Sequence, residues 1–268
     1  MLRALTWLLR ILLVLAVLGG GALLAGFAAA PPPKVSLATA FDAVTLPPDL
    51  DAWLAGREAV LADITPGAEK RILWAGERGT RTPFAVIYLH GFSATSQEIR
   101  PLPDDVAKAM GANLYFTRLA GHGRDGNALA GASARDWITD LDEALAIGRR
   151  IGERTLIIGT STGGTLAALA AVDPTRAEGL AGIVLLSPNF SLRPLAARIL
   201  DLPLAERWGP MVAGAERSFI PRNAEHGKWW TTRYPTSALF PLAELMRTAR
   251  AQDYAQARMP ALFIQAPG

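Results

Sequence analysis

Short runs of consecutive apolar residues alternate along this chain with segments whose apolar residues recur every three or four positions. The first pattern belongs to strands buried on both faces, the second to helices packed by one stripe. Phe84-Ala85-Val86-Ile87-Tyr88-Leu89, bounded by Pro83 and Gly91, reads as a strand, and so do residues 113–117, 154–158, 182–186 and 261–265. Residues 70–75 form an earlier, weaker one. Residues 49–64 space Leu50, Trp53, Leu54, Val60 and Leu61 as a short helix, and residues 106–110 form another that stops at Gly111. Ser133-Ala134-Arg135-Asp136 resembles a capping box with Asp in place of Glu. It opens a helix that gathers Trp137, Leu141, Ala144, Leu145, Gly148 and Ile151 on one face. Strands alternating with helices predict an α/β fold whose mainly parallel, doubly wound sheet is covered on both faces.

Three stretches depart from that rhythm. Residues 11–30 contain no charge and are long enough to cross a bilayer core as a helix. Arg3 and Arg10 precede them, which places everything after the span outside the cytoplasm. A signal peptide cleaved at Ala28-Ala29-Ala30 is the rival reading, with a secreted product; the length of the apolar run and Pro31-Pro32-Pro33 behind it favour an uncleaved anchor. Residues 31–48 are rich in Pro and Ala and read as a spacer lifting the domain of residues 49–268 off the membrane. Residues 191–259 are too long for one crossover and carry Trp208, Met211, Phe219, Trp229, Trp230, Tyr234 and Phe240. They predict a helical lid above the C-terminal edge of the sheet, its aromatic residues divided between its own core and an apolar ligand pocket.

Composition narrows the chemistry. The net charge of +3 is scattered and forms no basic-aromatic stripe, so nucleic acid is a poor partner. With no cysteine there is no disulfide, thiol nucleophile or thiolate metal site. The three histidines show no metal-ligand spacing, and nothing calls for a cofactor.

Gly159-Thr160-Ser161-Thr162-Gly163-Gly164 carries the chemistry. It follows the apolar strand 154–158 and precedes an Ala/Leu helix, the setting in which a serine sits on a strained turn with its Oγ exposed. Gly159 and Gly163 flank the serine where β-carbons would collide, and the helix end supplies N–H groups for a developing oxyanion. Ser161 is the candidate nucleophile.

With His90-Gly91-Phe92 after one strand, Gly121-His122-Gly123 after the next and the Ser161 turn after the third, residues 71–268 resemble the α/β-hydrolase superfamily. The branch they resemble is the monoacylglycerol lipase-like and carboxylesterase-like one, often grouped with serine aminopeptidases. The resemblance implies a serine hydrolase of carboxylic esters, acyl-glycerols or similar, that forms an acyl-enzyme on Ser161. It implies the backbone N–H groups of Phe92 and Thr162 as oxyanion donors. It gives His90 a structural role in shaping the oxyanion loop and packs His122 near the site; His226 reads as a solvated loop histidine.

The family's acid follows the strand matched here by residues 261–265, and its base histidine comes later still. Neither is among these residues: Ser187-Pro188-Asn189 offers no carboxylate, and Asp201 and Asp253 fall in the insertion. The expectation is a hydrolase fold incomplete at its C-terminus. The alternative is an inactive fragment or a non-catalytic protein that keeps the fold and binds apolar ligands.

Overall fold

A computed structural model describes residues 2–29, 32–39, 41–191 and 200–265. Its centre is a six-stranded sheet formed by β1 (Arg71–Leu73), β2 (Thr82–Leu89), β3 (Asn113–Phe116), β4 (Gly152–Thr160), β5 (Leu180–Leu186) and β8 (Ala261–Ile264). The strand order is β1-β3-β2-β4-β5-β8, with β1 antiparallel to β3 and every other pair parallel. A separate small sheet pairs β6 (Glu216–Ser218) with β7 (Arg233–Pro235).

Although β2 is apolar throughout, its side chains divide between the two faces by strict alternation. Ala85, Ile87 and Leu89 enter one core with Tyr115, Ile157 and Leu185, while Val86 and Tyr88 enter another with Leu114, Phe116 and Ile158. The first core is covered by α2 (Leu50–Ala59), α5 (Ala134–Ile151), α6 (Thr162–Val172) and α10 (Leu239–Arg250); the second is covered by α3 (Leu102–Met110). Ser133 and Asp136 form the reciprocal capping box at the start of α5, and Gly111 ends α3 with a left-handed φ of 58°.

Between β5 and β8 run α8 (Ala205–Ala213), β6, α9 (Ala224–Trp229), β7 and α10. α10 buries Phe240, Leu242, Leu245, Met246 and Ala249 in the first core. It is the crossover helix between the parallel strands β5 and β8, so the part of the interval standing away from the sheet is shorter than the aromatic content suggested. Among the described residues that part holds α8, α9 and the antiparallel pair of β6 and β7, so it is not helix alone. The remaining described α-helices, α4 (Gly126–Gly131) and α7 (Pro174–Ala177), are short and bury Leu129 and Arg176 respectively.

Two edges are notable. β8 pairs only with β5 among the described residues, and Leu262, Phe263 and Ile264 are 55%, 62% and 47% exposed. At the other end of the chain, α1 (Leu2–Ala29) holds a 22-residue apolar stretch, Leu5–Gly26, of mean hydropathy 2.4, none of it buried.

The Pro/Ala-rich segment does not stand free as a spacer. Val35 is buried and its N–H donates to Thr248 Oγ1 at 2.9 Å; Arg135 donates to the carbonyls of Ser36 and Ala38, and Arg247 to that of Pro33. Leu37 and Leu46 pack against the main core. These few apolar anchors, spaced among prolines and alanines, bind the segment as a strap across α5 and α10.

Candidate active site

Strand register determines which loops meet. Leu89 lies beside Gly159, Tyr88 beside Phe116 and Thr160 beside Leu186, so the loops that follow β2, β3 and β4 emerge together at the C-terminal edge of the sheet. This is where open α/β sheets bind ligands.

Ser161 joins β4 to α6 with φ 50° and ψ −111°, a conformation an L-residue adopts only under local constraint. The constraints are identifiable. Its N–H donates to Leu186 O at 2.9 Å, and its carbonyl accepts from Thr165 N at 3.0 Å and Asn189 N at 3.1 Å. A β-carbon on Gly159 would stand 2.5 Å from Gly163 O, and one on Gly163 would overlap the Leu89 carbonyl. The turn closes only with glycine at both places. Thr162, buried as the first residue of α6, has one of the N–H groups that a helix leaves without an intrahelical acceptor.

The loop after β2 lies against this turn. A β-carbon on Gly91 would be 3.3 Å from Ser161 Cβ and 3.0 Å from Glu98 Oε2. Phe92 is half-buried, its ring edge-on to His122, Trp137 and Tyr234. Ser93, at φ 60°, has its carbonyl bonded by Thr231 N at 2.7 Å, which ties the loop to the insertion. The structure thus brings together Ser161, Thr162 and Phe92, the three residues singled out from the sequence.

The histidines are placed elsewhere. His90 is fully buried; its Nε2 accepts from Leu119 N at 3.0 Å, which leaves Nδ1 to donate to Gly91 O at 2.9 Å. It joins the β2 and β3 loops as a bracket. Burial pushes its imidazole well below the ordinary value, helped by neighbouring His122 and Arg118. His122 is also buried, its Nδ1 3.0 Å from Ala120 O, and burial lowers it to about 4. Both rings are therefore neutral at pH 7. His226 stacks between Phe219 and Trp230 in the insertion, its Nδ1 accepting from Arg222 N at 3.0 Å. Among the described residues no histidine is hydrogen-bonded to Ser161. Asp201 pairs with Arg247 and Asp253 caps a turn at Ala255, so neither carboxylate serves the elbow.

Two groups beneath the loop carried no signal in the sequence. Tyr88 donates to Glu98 Oε1 at 2.6 Å and contacts Thr160 Oγ1 at 2.9 Å, while Gly91 N–H donates to the same Glu98 oxygen at 2.6 Å. Glu98 reads as an ordinary polar loop residue and Tyr88 as one of six apolar strand positions. Burial raises the Glu98 carboxyl to about 7, against the partial opposition of its two donors.

A cleft of about 560 Å³ opens on the other side of the 118–124 loop, lined by Arg57, Glu58, Lys70, Arg118, Arg124 and Asp140. It does not contain Ser161, and its walls are occupied by internal ion pairs: Lys70 with Asp140 and Glu143, Arg118 with Glu58. Strain and close approach, not volume, mark the candidate site. Among the described residues no group of three or more His, Asp or Glu side chains is placed to hold a metal ion.

Comparison with known proteins agrees with this geometry. Residues 81–266 match the family model described as serine aminopeptidase, S33. The thermostable monoacylglycerol lipase of Bacillus sp. (strain H-257) is 26% identical over 170 residues, which is 63% of this chain and 64% of that protein. The chain thus spans a little under two thirds of that relative's length. A solved structure from work on LipS and LipT, two metagenome-derived lipolytic enzymes, superposes with a TM-score of 0.62 at 25% identity, covering 76% of this chain and 77% of that one. The monoacylglycerol lipase of Paleococcus ferrophilus superposes with a TM-score of 0.51 at 16% identity over 73% of this chain and 76% of that one, a likeness of fold. On the family match and the sheet that carries its motifs, the chain belongs to the serine aminopeptidase S33 family of α/β hydrolases.

Proposed function

We propose that the protein is a serine hydrolase of carboxylic esters with an apolar acyl group, acyl-glycerols or similar, acting through an acyl-enzyme on Ser161. The observation that carries the reading is the strained Ser161 turn, pressed against the Gly91–Phe92 backbone at the C-terminal edge of the sheet. In this reaction Ser161 Oγ attacks the ester carbonyl and passes its proton to a base. The carbonyl oxygen becomes an oxyanion held by the N–H groups of Phe92 and Thr162. Collapse expels the alcohol, and water then releases the acid by the same steps in reverse order. The base and its acid partner are not among the residues gathered at Ser161. In the family they follow the strand matched here by β8. The lipase relative and the aromatic residues facing Phe92 support an apolar acyl group. The apolar helix α1 supports attachment to a membrane with the domain on its outer side, or export followed by cleavage.

The test is labelling of the full-length protein with a fluorophosphonate, followed by turnover of acyl-glycerols of graded chain length. Labelling is expected, and its loss in Ser161→Ala. The second reading, a ligand-binding protein without catalysis, is favoured by the absence of any histidine bonded to Ser161 among the described residues. A folded full-length protein that resists the label decides for it.

A further inference from the structure

Glu98 stands at a junction between the two halves of the proposed oxyanion site. One of its carboxyl oxygens, Oε1, takes the N–H of Gly91 and the hydroxyl of Tyr88, both at 2.6 Å. The Tyr88 hydroxyl also contacts Thr160 Oγ1, next to the nucleophile. The network therefore runs from the loop after β2, through Glu98 and Tyr88, to the turn after β4. The other oxygen, Oε2, is close to Ser161: a β-carbon built on Gly91 would stand 3.0 Å from Oε2 and 3.3 Å from Ser161 Cβ.

A carboxyl group with two donors on one oxygen and the second oxygen close to a reacting centre can act in two ways. Neutral, it holds the Gly91 N–H away from the substrate, aligns the next peptide and adds no charge. Ionised, it keeps those bonds but places a negative charge beside the point where the ester oxygen becomes negative. Like charges at close range in a poorly solvated site oppose each other strongly. The same geometry thus supports catalysis in one charge state and resists it in the other.

We propose that Glu98 is a positioning residue of the hydrolytic site: in its neutral form it clamps the Gly91–Phe92 loop to the Ser161 turn, and its ionisation weakens the oxyanion hole. The inference rests on the hydrolase reading above. The environment is consistent with a neutral group, since burial carries the carboxyl to about 7. Tyr88, from β2, is the titratable group bonded to it. Arg71 of β1 and Arg100 of Glu98's own loop lie over the Phe116 ring, and Arg100 also pairs with Asp104. His90 turns toward Leu119 and Gly91 O. Among the described residues neither arginine forms an ion pair with Glu98.

The experiment measures the fluorophosphonate labelling rate and ester kcat and KM of the full-length protein, with Glu98→Gln and Glu98→Ala, from pH 5.5 to 9. Gln keeps an acceptor for Gly91 and Tyr88 and stays uncharged. The rate of E98Q relative to wild type is expected to rise at least fivefold between pH 6 and pH 8.5. E98A, which has no acceptor, is expected to lose tenfold or more in kcat at every pH with KM little changed. An E98Q-to-wild-type ratio that does not vary with pH overturns the charge-state role. An E98A that is folded and as fast as wild type overturns the clamp. If wild type is never labelled, the hydrolase reading fails and this proposal with it; a labelled wild type with a flat ratio overturns this proposal alone.

Discussion

Gly163 packs against Leu89 with no space for a side chain: a β-carbon there would overlap the Leu89 carbonyl oxygen and crowd its Cβ. The start of α6 is thereby seated on the end of β2, and the Ser161 turn is the link that lets β4 reach that seat. Gly163→Ala is expected to destabilise the protein by about 3 kcal/mol, because backbone and not a flexible side chain must move. Gly56, exposed in the middle of α2 with nothing within 4 Å of its missing β-carbon, is the control. Gly56→Ala is expected to stabilise by roughly 0.5–1 kcal/mol. Urea unfolding of both variants checks the contrast.

Ser161 holds a conformation that glycine adopts without strain. Ser161→Gly is expected to raise stability by about 1 kcal/mol while abolishing fluorophosphonate labelling, since relief of backbone strain and loss of the nucleophile come from one change. A thermal midpoint below that of wild type would argue that the turn is not strained.

Stability against pH contains two opposed contributions. His122 is held near 4 when folded, against an ordinary 6.5, so the unfolded chain takes up the proton first; buried His90 acts in the same direction. Their contribution is lost as pH falls from 6.5 toward 4. Glu98 works the other way. Its folded value of about 7 exceeds the ordinary 4.5, so its contribution is present below 4.5 and lost as pH rises to about 7. Glu98→Gln removes the second contribution alone. Relative to wild type it is expected to gain about 1–2 kcal/mol between pH 4.5 and 7, discounted for partial exposure, and nothing further above that. Unfolding midpoints in buffers across that interval measure it.

Lys70 donates to Asp140 at 2.9 Å and Glu143 at 2.5 Å, all three side chains being buried. Burial alone would lower the ammonium; the two carboxylates outweigh it and hold Lys70 above its ordinary value. Lys70→Met leaves two carboxylates in the interior without their cation and is expected to cost about 3–5 kcal/mol. A loss below 1 kcal/mol would mean that Arg57, 3.5 Å from Glu143, takes over the pairing.

What was legible in the sequence follows from the range of the forces involved. β2, β4 and β5 are visible because burial on both faces leaves unbroken apolar runs, and α5 because its large apolar residues recur at helical spacing and its first turn carries its own cap, although Asp140 to Gly148 are buried on every side. The Ser161 turn is visible because its two glycines are local in sequence. Lys70 is 70 residues from Asp140 and 73 from Glu143, and the three acquire meaning only as partners. Glu98 is the same case: its neighbours Tyr88 and Gly91 are near in the chain, yet nothing local shows that its carboxyl turns inward. The hairpin of β6 and β7 is three residues on each side, mostly exposed, and leaves no alternation to read. The strap was hidden because Val35, Leu37 and Leu46 are isolated apolar residues in a segment whose composition suggests a loose chain.

That strap sets how closely the domain follows α1. Two residues separate the end of α1 from Pro32, and Arg247 already holds Pro33. Three Cα–Cα steps of ~3.8 Å join Ala29 to Pro32, so the strap begins within roughly 11 Å of the end of α1. Under the membrane attachment and ester hydrolysis proposed above, a tether that short would exchange a search through solution for encounters within a thin layer beside the lipid, where a sparingly soluble ester is concentrated and each release is followed by a nearby recapture.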